Sequence, residues 1–543
     1  MGNVKSLAAG IAVAFCASAT VAQCEATGFD DVLKANGIVV DGKVCSETER
    51  RDFDDGFAVR YLLCDGVCTV SCERTEWVVS EDAKVWYQPL CMEYEHPYVS
   101  QTVGAITAGT RMNMPVTLKL ADGTYRLITE ADVVNHSDAS LEYCGGGRFA
   151  IRYAYDKNGF ERQGRTSPWR VTLVAKDLQT LATSDIVRRL CPAPSPEVAA
   201  KCVSFVKPGR CVWQWLPSGE PKYDEQKDWY DRAKALGFEY YLIDDGWKIW
   251  HDEGMDQWAC LKKWIDYGKS IGVESFIWVD SKEMLTSDAR RTYLRKVRDC
   301  GAVGIKIDFV PEPSCSQMKW YEETLADTLE FSLMTDFHGC VKPSGRERTW
   351  PHEVAREAIR GHEWHITRYG RVLPPEHDCI LPFNRLVQGH ADYTPMVFEN
   401  RELQGYTWAR ELAQGIVFSS RFLCLGDYPK NYQENPAVEL IKALPATYDE
   451  MRILDGSEIG ECIAVAKRKG CDWFIAVENG AEVRKLSISL GFLEDGDYDM
   501  IAFADAVDRP DGYSISRRVV GRDEALDLKI RTKGGYVAWI RRK

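Results

Sequence analysis

Five apolar runs, Cys211-Val-Trp-Gln-Trp215, Tyr240-Tyr-Leu-Ile-Asp244, Glu274-Ser-Phe-Ile-Trp-Val-Asp280, Gly304-Ile-Lys-Ile-Asp-Phe309 and Leu333-Met-Thr-Asp-Phe-His-Gly339, begin at residues 211, 240, 274, 304 and 333. They therefore recur at intervals of 29, 34, 30 and 29 residues, with helical stretches such as 229–236 and 289–298 between them. Strands separated by a helix pair in parallel, because a parallel neighbour is reached only by a crossover of roughly a dozen or more residues. Several such units in succession favour a closed (β/α)8 TIM barrel. The barrel is assigned to residues 197–445.

The flanks read differently. From about residue 58 to 174, short alternating runs such as Phe57-Ala-Val-Arg-Tyr-Leu-Leu63 and Trp169-Arg-Val-Thr-Leu-Val174 lie between Gly, Asp and Asn turns, the pattern of a β-sandwich. The Pro-rich link Cys191-Pro-Ala-Pro-Ser-Pro196 marks its end. After Pro445 strand-like runs return, among them Cys462-Ile-Ala-Val-Ala466 and Gly535-Tyr-Val-Ala-Trp-Ile540. The expected architecture is a central barrel flanked by an N-terminal β-sandwich (residues 23–196) and a small C-terminal β-domain, also a sandwich (residues 446–543).

Residues 1–22 read as a secretory signal peptide: Lys5, an apolar stretch from Leu7 to Val21, and the small-residue sites Ala17-Ser18-Ala19 and Thr20-Val21-Ala22. The stretch is shorter than the roughly 20 apolar residues a spanning helix needs. A secreted or periplasmic protein without a membrane span is expected. A lipid anchor on Cys24 is disfavoured by Gln23 before it. Cleavage before Gln23 removes Cys16 and leaves 18 of the 19 cysteines, an even number compatible with disulfides of unassigned connectivity. Cys64, Cys68 and Cys72 have even spacings that place them on one face of a strand, so they read as buried thiols or bridges rather than a metal site.

With 68 basic and 81 acidic residues among 543, the net charge is −13, which opposes nucleic-acid binding. Seventeen Trp and 24 Tyr instead suit stacking on sugar rings. In a barrel the chemistry sits where the strands end, and four of these five runs end in acids: Asp244 with Asp245, Asp280, Asp308, and Asp336 with His338. Carboxylate pairs beside the aromatics Trp213, Trp215, Trp247 and Trp278 point to acetal cleavage, which needs one carboxyl group as nucleophile or base and another as acid.

Asp308 in Lys306-Ile-Asp-Phe309, then Asp336-Phe-His-Gly339, Lys342-Pro-Ser-Gly345, Arg348-Thr-Trp-Pro351 and Arg356-Glu-Ala-Ile-Arg-Gly-His-Glu363, resemble glycoside hydrolase family 97. The resemblance extends to Glu73 in Cys72-Glu-Arg-Thr-Glu-Trp77, to Glu130-Ala131, Gly164-Arg-Thr-Ser-Pro-Trp169, Asp392-Tyr-Thr-Pro395 and Leu444-Pro-Ala-Thr-Tyr-Asp449, nearly the whole chain after the leader. Inverting members of that family carry a base Glu directly after the His of the fifth strand and no acid at the end of the fourth. Here Gly339 follows His338 and Asp308 is present, so the resemblance implies a retaining enzyme with Asp308 as nucleophile and Glu363 as general acid/base.

Lys306 and Asp308 alternate on one strand and so face the same side, where the cation helps keep the carboxylate ionised and bonds a sugar hydroxyl. Glu363 needs a raised pKa, which Trp364 and neighbouring acids supply. His338, Asp245 and Trp247 are expected to contact substrate. The resemblance also implies calcium beside the acid, held by Glu357 and by Glu73 reaching in from the sandwich. Only some 35 residues precede the Ala58 strand after the leader, which suggests an abbreviated N-terminal domain. The reading is an exo-α-glycosidase on an oligosaccharide or polysaccharide, an α-galactosidase first, with β-L-arabinopyranosidase or α-glucosidase as alternatives. A non-catalytic carbohydrate-binding protein is the alternative of another class. A metal-dependent hydrolase of another kind is disfavoured, because the nine His show no HxH or HExxH spacing. Oligomeric state is left open.

Overall fold

A computed structural model describes residues 32–310, 312–365 and 370–543. The leader assignment, Cys16, Cys24 and Pro311 lie outside the described residues. Among the described residues no helix is long and apolar enough to cross a membrane.

Two seven-stranded antiparallel sheets form the N-terminal sandwich. Their inward residues, among them Ile38, Val70, Trp77, Val85, Leu118, Ile128 and Phe149, make one core. Strands already occupy Leu33–Val40, Lys43–Cys45 and Thr48–Phe53, so the sheets of this domain begin well before residue 58. The long strand Val67–Val78 alternates buried and exposed residues, but the phase slips at Ser71 and Cys72, which are both exposed. The pairing shows why: Val39 opposes Cys72 and Val40 opposes Val70, a β-bulge. The slip turns Cys68 inward, Cys72 outward and Glu73 inward, so the three cysteines do not share a face. All seventeen described cysteines are free thiols, and the expected bridges are not formed.

Seven parallel strands build the barrel wall, in chain order Gly209–Trp213, Tyr240–Ile243, Glu274–Asp280, Gly304–Asp308, Met334–Phe337, Glu353–Arg356 and Phe422–Leu425. Consecutive strands are neighbours from the first to the sixth, and the last pairs with the first. An eighth strand is absent among the described residues. Its place between the sixth and the last is taken by irregular chain around residues 393–398. Tyr393 O accepts from His362 N (2.8 Å) on one side and Pro395 O accepts from Gly426 N (2.9 Å) on the other. Three successive amides turn to side chains: Met396 N to Gln414 Oε1 (3.3 Å), Val397 N to Glu411 Oε2 (3.0 Å) and Phe398 N to Asp427 Oδ2 (2.6 Å). Buried polar backbone is thereby satisfied without a ladder.

The C-terminal domain packs a six-stranded antiparallel sheet against the pair Arg484–Ser489 and Ala525–Ile530 over its own apolar core. Buried Arg410, on the barrel helix Trp408–Val417, bonds Asn479 O and Asp378 and fastens the two domains together. On the other side, buried Lys342, just after the fifth barrel strand, reaches Glu130 (2.6 Å) and Asp138 of the sandwich. Arg170 continues this network between Glu130 and Glu73.

Candidate active site

Asp308 is the last residue of a strand that is buried throughout. Trp278, on the neighbouring third strand, donates its indole N–H to Asp308 Oδ2 (2.9 Å). Phe309 takes a left-handed backbone (φ 59), which lets its N–H donate to Asp308 Oδ1 (2.6 Å) while its carbonyl accepts from Ser281 Oγ (2.6 Å). Both carboxylate oxygens are thus held by donors. Burial opposes the charge on Asp308, but the His338 imidazolium, its hydrogen bond, Lys306 and the Trp278 N–H together hold the carboxyl well below the usual carboxylate range.

His338 sits at the centre. Its Nδ1 lies 3.1 Å from Glu357 Oε2 and 3.5 Å from Asp308 Oδ1, and its Nε2 lies 3.7 Å from Glu363 Oε2 and 3.8 Å from Asp392 Oδ2. Burial and Lys306 disfavour its charge, but the surrounding carboxylates, Glu357 first, raise its pKa well above the ordinary value. Lys306, buried, faces the same cavity as Asp308, pairs with Asp244 (3.2 Å) and lies over the Trp213 ring (4.1 Å).

Glu363 stands in the 3-10 turn His362–Trp364. That turn is fixed by the bond from His362 N to Tyr393 O and by His362 Nε2 against Glu411 Oε2 (2.8 Å). Glu363 Oε1 accepts from Trp215 Nε1 (2.9 Å), and Oε2 is buried without a partner. Burial raises its pKa; His338 and Lys306 pull it back, while Asp244 and Asp308 push it further up, and the net direction is upward. One carboxyl group held below the usual carboxylate range and one raised above it, both beside the same imidazole, form the kind of pair that acetal cleavage uses.

These groups line a cavity of about 400 Å³ that also holds Asp244, Asp245, Glu93, Glu95, Gly339, Glu357, Trp364 and Arg371. Among the predicted site residues, Asp308, Glu363, Lys306, His338, Asp245 and Glu357 come together there. Trp247 does not. It is 1% exposed, packs edge-on against Trp258 and donates its indole N–H to Trp278 O (3.1 Å), so it braces the tryptophan that holds Asp308 and meets no sugar. Asp280 is a cap, accepting from Lys282 N (3.0 Å).

Glu73 is the second correction. The bulge turns it into the sandwich, where Arg170 bonds both its oxygens (2.8 and 2.6 Å) and Tyr153 donates to Oε2 (2.6 Å). Burial raises its pKa, but Arg170 and these bonds outweigh burial and lower it. With its oxygens committed, it is no calcium ligand. The sandwich instead delivers Glu95, which residue spacing does not distinguish from a surface acid. Gln88 Nε2 pins its loop to Tyr94 O (2.7 Å) and His96 O (2.8 Å), Tyr94 donates to Asp138, Arg360 Nε bonds Glu95 O (2.5 Å) and Trp364 Nε1 bonds Glu95 Oε2 (2.5 Å). Burial lifts Glu95 to about 7, with the Trp364 bond and His338 opposing and Glu363 adding to the rise. Glu357, which accepts from Gly339 N (2.7 Å), is raised well above its ordinary value by burial and by Glu95.

Glu95, Glu357 and Glu363 are therefore three mutually repelling carboxylates in one enclosed space, with an unpartnered oxygen on Glu363. One ligand atom each from His338, Glu357 and Glu363 lies within 4.8 Å of the others. The carboxylates of Glu95 and Glu357, which line the same cavity, are the kind of oxygen ligand that suits a hard divalent cation such as calcium.

A barrel whose two carboxyl groups, one with its pKa lowered and one with its pKa raised, converge on one sugar-sized cavity defines the class of a glycoside hydrolase. Residues 36–192 match the family described as glycosyl-hydrolase 97 N-terminal, 210–359 glycoside hydrolase 97, and 447–541 glycosyl-hydrolase 97 C-terminal, oligomerisation. The chain is 30% identical over 505 residues to a probable retaining alpha-galactosidase of Streptomyces bingchenggensis, covering 89% of this chain and 75% of that one. It is 26% identical over 500 residues to a retaining alpha-galactosidase of Bacteroides thetaiotaomicron, covering 82% and 74%. Its fold is similar to a family 97 enzyme from Pseudoalteromonas sp. strain K8 solved with acarbose (TM-score 0.81, 22% identity, 90% and 84% covered). It is also similar to a solved beta-arabinopyranosidase (TM-score 0.79, 22% identity, 93% and 91% covered). The chain belongs to glycoside hydrolase family 97.

Proposed function

We propose that the protein is a retaining exo-α-glycosidase that removes terminal α-galactosyl groups by double displacement. The observation that carries this reading is the opposite tuning of Asp308 and Glu363 around one imidazole. In the first half-reaction the Asp308 carboxylate attacks the anomeric carbon, the glycosidic C–O bond breaks, and Glu363 gives its proton to the leaving oxygen. In the second, Glu363 takes a proton from water, the water oxygen bonds the anomeric carbon, and Asp308 leaves as carboxylate. Lys306, Asp244, Asp245 and His338 line the cavity and are placed to bond sugar hydroxyls.

Calcium held by Glu95 and Glu357 would supply positive charge beside the acid Glu363. The relatives named α-galactosidases support galactose as the sugar. β-L-arabinopyranoside, which lacks only the exocyclic CH2OH, is the second choice on the strength of the solved beta-arabinopyranosidase. The leader read in residues 1–22 supports export, either secreted or periplasmic. The test is proton NMR of p-nitrophenyl α-galactoside hydrolysis: first release of the α-anomer is expected, and first release of the β-anomer, or cleavage of the α-glucoside alone, refutes the mechanism or the sugar respectively.

A further inference from the structure

Trp215, whose indole holds the proposed acid Glu363, belongs to two spaces at once. One is the catalytic cavity; the other is a groove of about 560 Å³ that runs outward from it. The groove lies between the loop after the first barrel strand and the loop after the second; Lys222, Tyr223, Ile249 and His251 line it over the buried Trp250. Ile249 is 74% exposed, an apolar side chain offered to solvent beside aromatic rings.

The two walls are clamped to each other. Trp250 Nε1 donates to Pro221 O (2.9 Å), Tyr223 packs edge-on against Trp250 (5.8 Å between centroids), and Tyr223 OH donates to Asp252 (2.7 Å). Gly246 (φ 112) lets the walls meet, since a Cβ there would lie 2.8 Å from Glu220 Cβ. The groove is thus preformed, and preorganisation is what makes a binding surface effective.

A retaining glycosidase protonates the oxygen of the leaving group, so the leaving sugar departs beside the acid, on the side of the carboxyl group that Trp215 holds. We propose that this groove is the acceptor site for the reducing-end part of the substrate. Its occupant is the sugar unit beyond the one directly bonded to the cleaved residue, and the natural substrate is an oligosaccharide of at least three units. The exposed Ile249 and the part-exposed Trp215 and Tyr223, flanked by Lys222 and His251, give the mixed apolar and polar surface that suits a pyranose, apolar on its face and polar at its rim. This inference rests on the glycosidase reading above and adds chain length to it.

The experiment compares kcat/KM for a three-unit and a two-unit oligosaccharide with the same terminal sugar, that sugar being chosen by a p-nitrophenyl glycoside screen, so an error about galactose leaves the groove test intact. The three-unit substrate should be favoured about tenfold, equivalent to about 1.4 kcal/mol. Ile249→Asp combined with His251→Ala should bring the ratio to about one while two-unit and p-nitrophenyl substrates are cleaved as by wild type. A wild-type ratio near one, or a ratio unmoved by the double variant, overturns the inference. If no glycoside in the screen is cleaved, the disaccharide alone, titrated against tryptophan fluorescence, decides: equal Kd values in wild type and variant refute the groove, and a Kd weakened at least fivefold in the variant supports it.

Discussion

Gly339 is where a single methyl group would press directly on the proposed nucleophile. It has a left-handed backbone (φ 49), and a Cβ built on it would lie 2.9 Å from Asp308 Oδ1 and 3.2 Å from Phe309 N. Gly339→Ala therefore carries two costs. The left-handed conformation costs an L-residue about 1 kcal/mol, which lowers stability. The contact with Oδ1 is several tenths of an ångström too short, so the nucleophile must shift by about 0.5 Å, away from the Phe309 and Trp278 donors that hold it. A displacement of about 1 Å costs roughly a hundredfold in rate, so half of it costs about tenfold, and kcat should fall between about 10- and 100-fold, equivalent to about 1.4–2.7 kcal/mol. The assay is steady-state hydrolysis of the p-nitrophenyl glycoside that the screen selects, with thermal unfolding in parallel. KM should move little and Tm should fall by a few degrees. A variant with kcat within twofold of wild type would show that Asp308 Oδ1 is not confined by residue 339. The same geometry accounts for the absence of Glu after His338: a longer side chain there and a carboxylate at residue 308 compete for one space.

Lys342→Met leaves Glu130 and Asp138 facing each other without their shared cation; a loss of about 3 kcal/mol in urea unfolding is expected, and a loss under about 1 kcal/mol would mean the network is energetically neutral. Buried His352 is held neutral, with burial pushing its pKa down to about 4. The unfolded chain therefore binds a proton below about pH 6.5 that the native state refuses, and stability is full above that value and lost as pH falls towards 4. At pH 5 this histidine alone should cost about 2 kcal/mol, so His352→Gln should flatten the pH dependence of unfolding by that amount between pH 7.5 and 5; parallel curves for variant and wild type would refute the assignment. Elemental analysis should find one calcium per chain, with activity lost on chelation and regained on adding calcium, and Glu95→Gln should weaken calcium binding at least tenfold; full activity after exhaustive chelation would remove calcium from the site.

Much of the architecture is legible in the chain because the barrel is built from local signals. The apolar runs at regular intervals place the first five strands, and alternation along one strand puts Lys306 and Asp308 in the same cavity. What is not legible depends on partners distant in sequence. Glu73 is read from the resemblance as a calcium ligand, and only the bulge beside it and Arg170, 97 residues later, show that it is spent inside the sandwich. Glu95 gains its meaning only when the sandwich docks and Trp364 and Arg360 bond it. The eighth barrel position is invisible because residues 393–398 satisfy their amides through Gln414, Glu411 and Asp427 rather than through strand periodicity. Trp247 was misplaced for a simpler reason: an aromatic just past a strand end faces the mouth or the wall according to the turn it sits in, and Gly246, with φ 112, turns it to the wall.

The loan of Glu95 from one module to the cavity of another has a consequence for biosynthesis. The sandwich leaves the ribosome first, yet the acid it contributes meets its companions only after Lys342 of the later barrel has been translated and docked. Neither module alone assembles the complete cavity, because Glu93 and Glu95 come from the sandwich and Asp308 and Glu363 from the barrel.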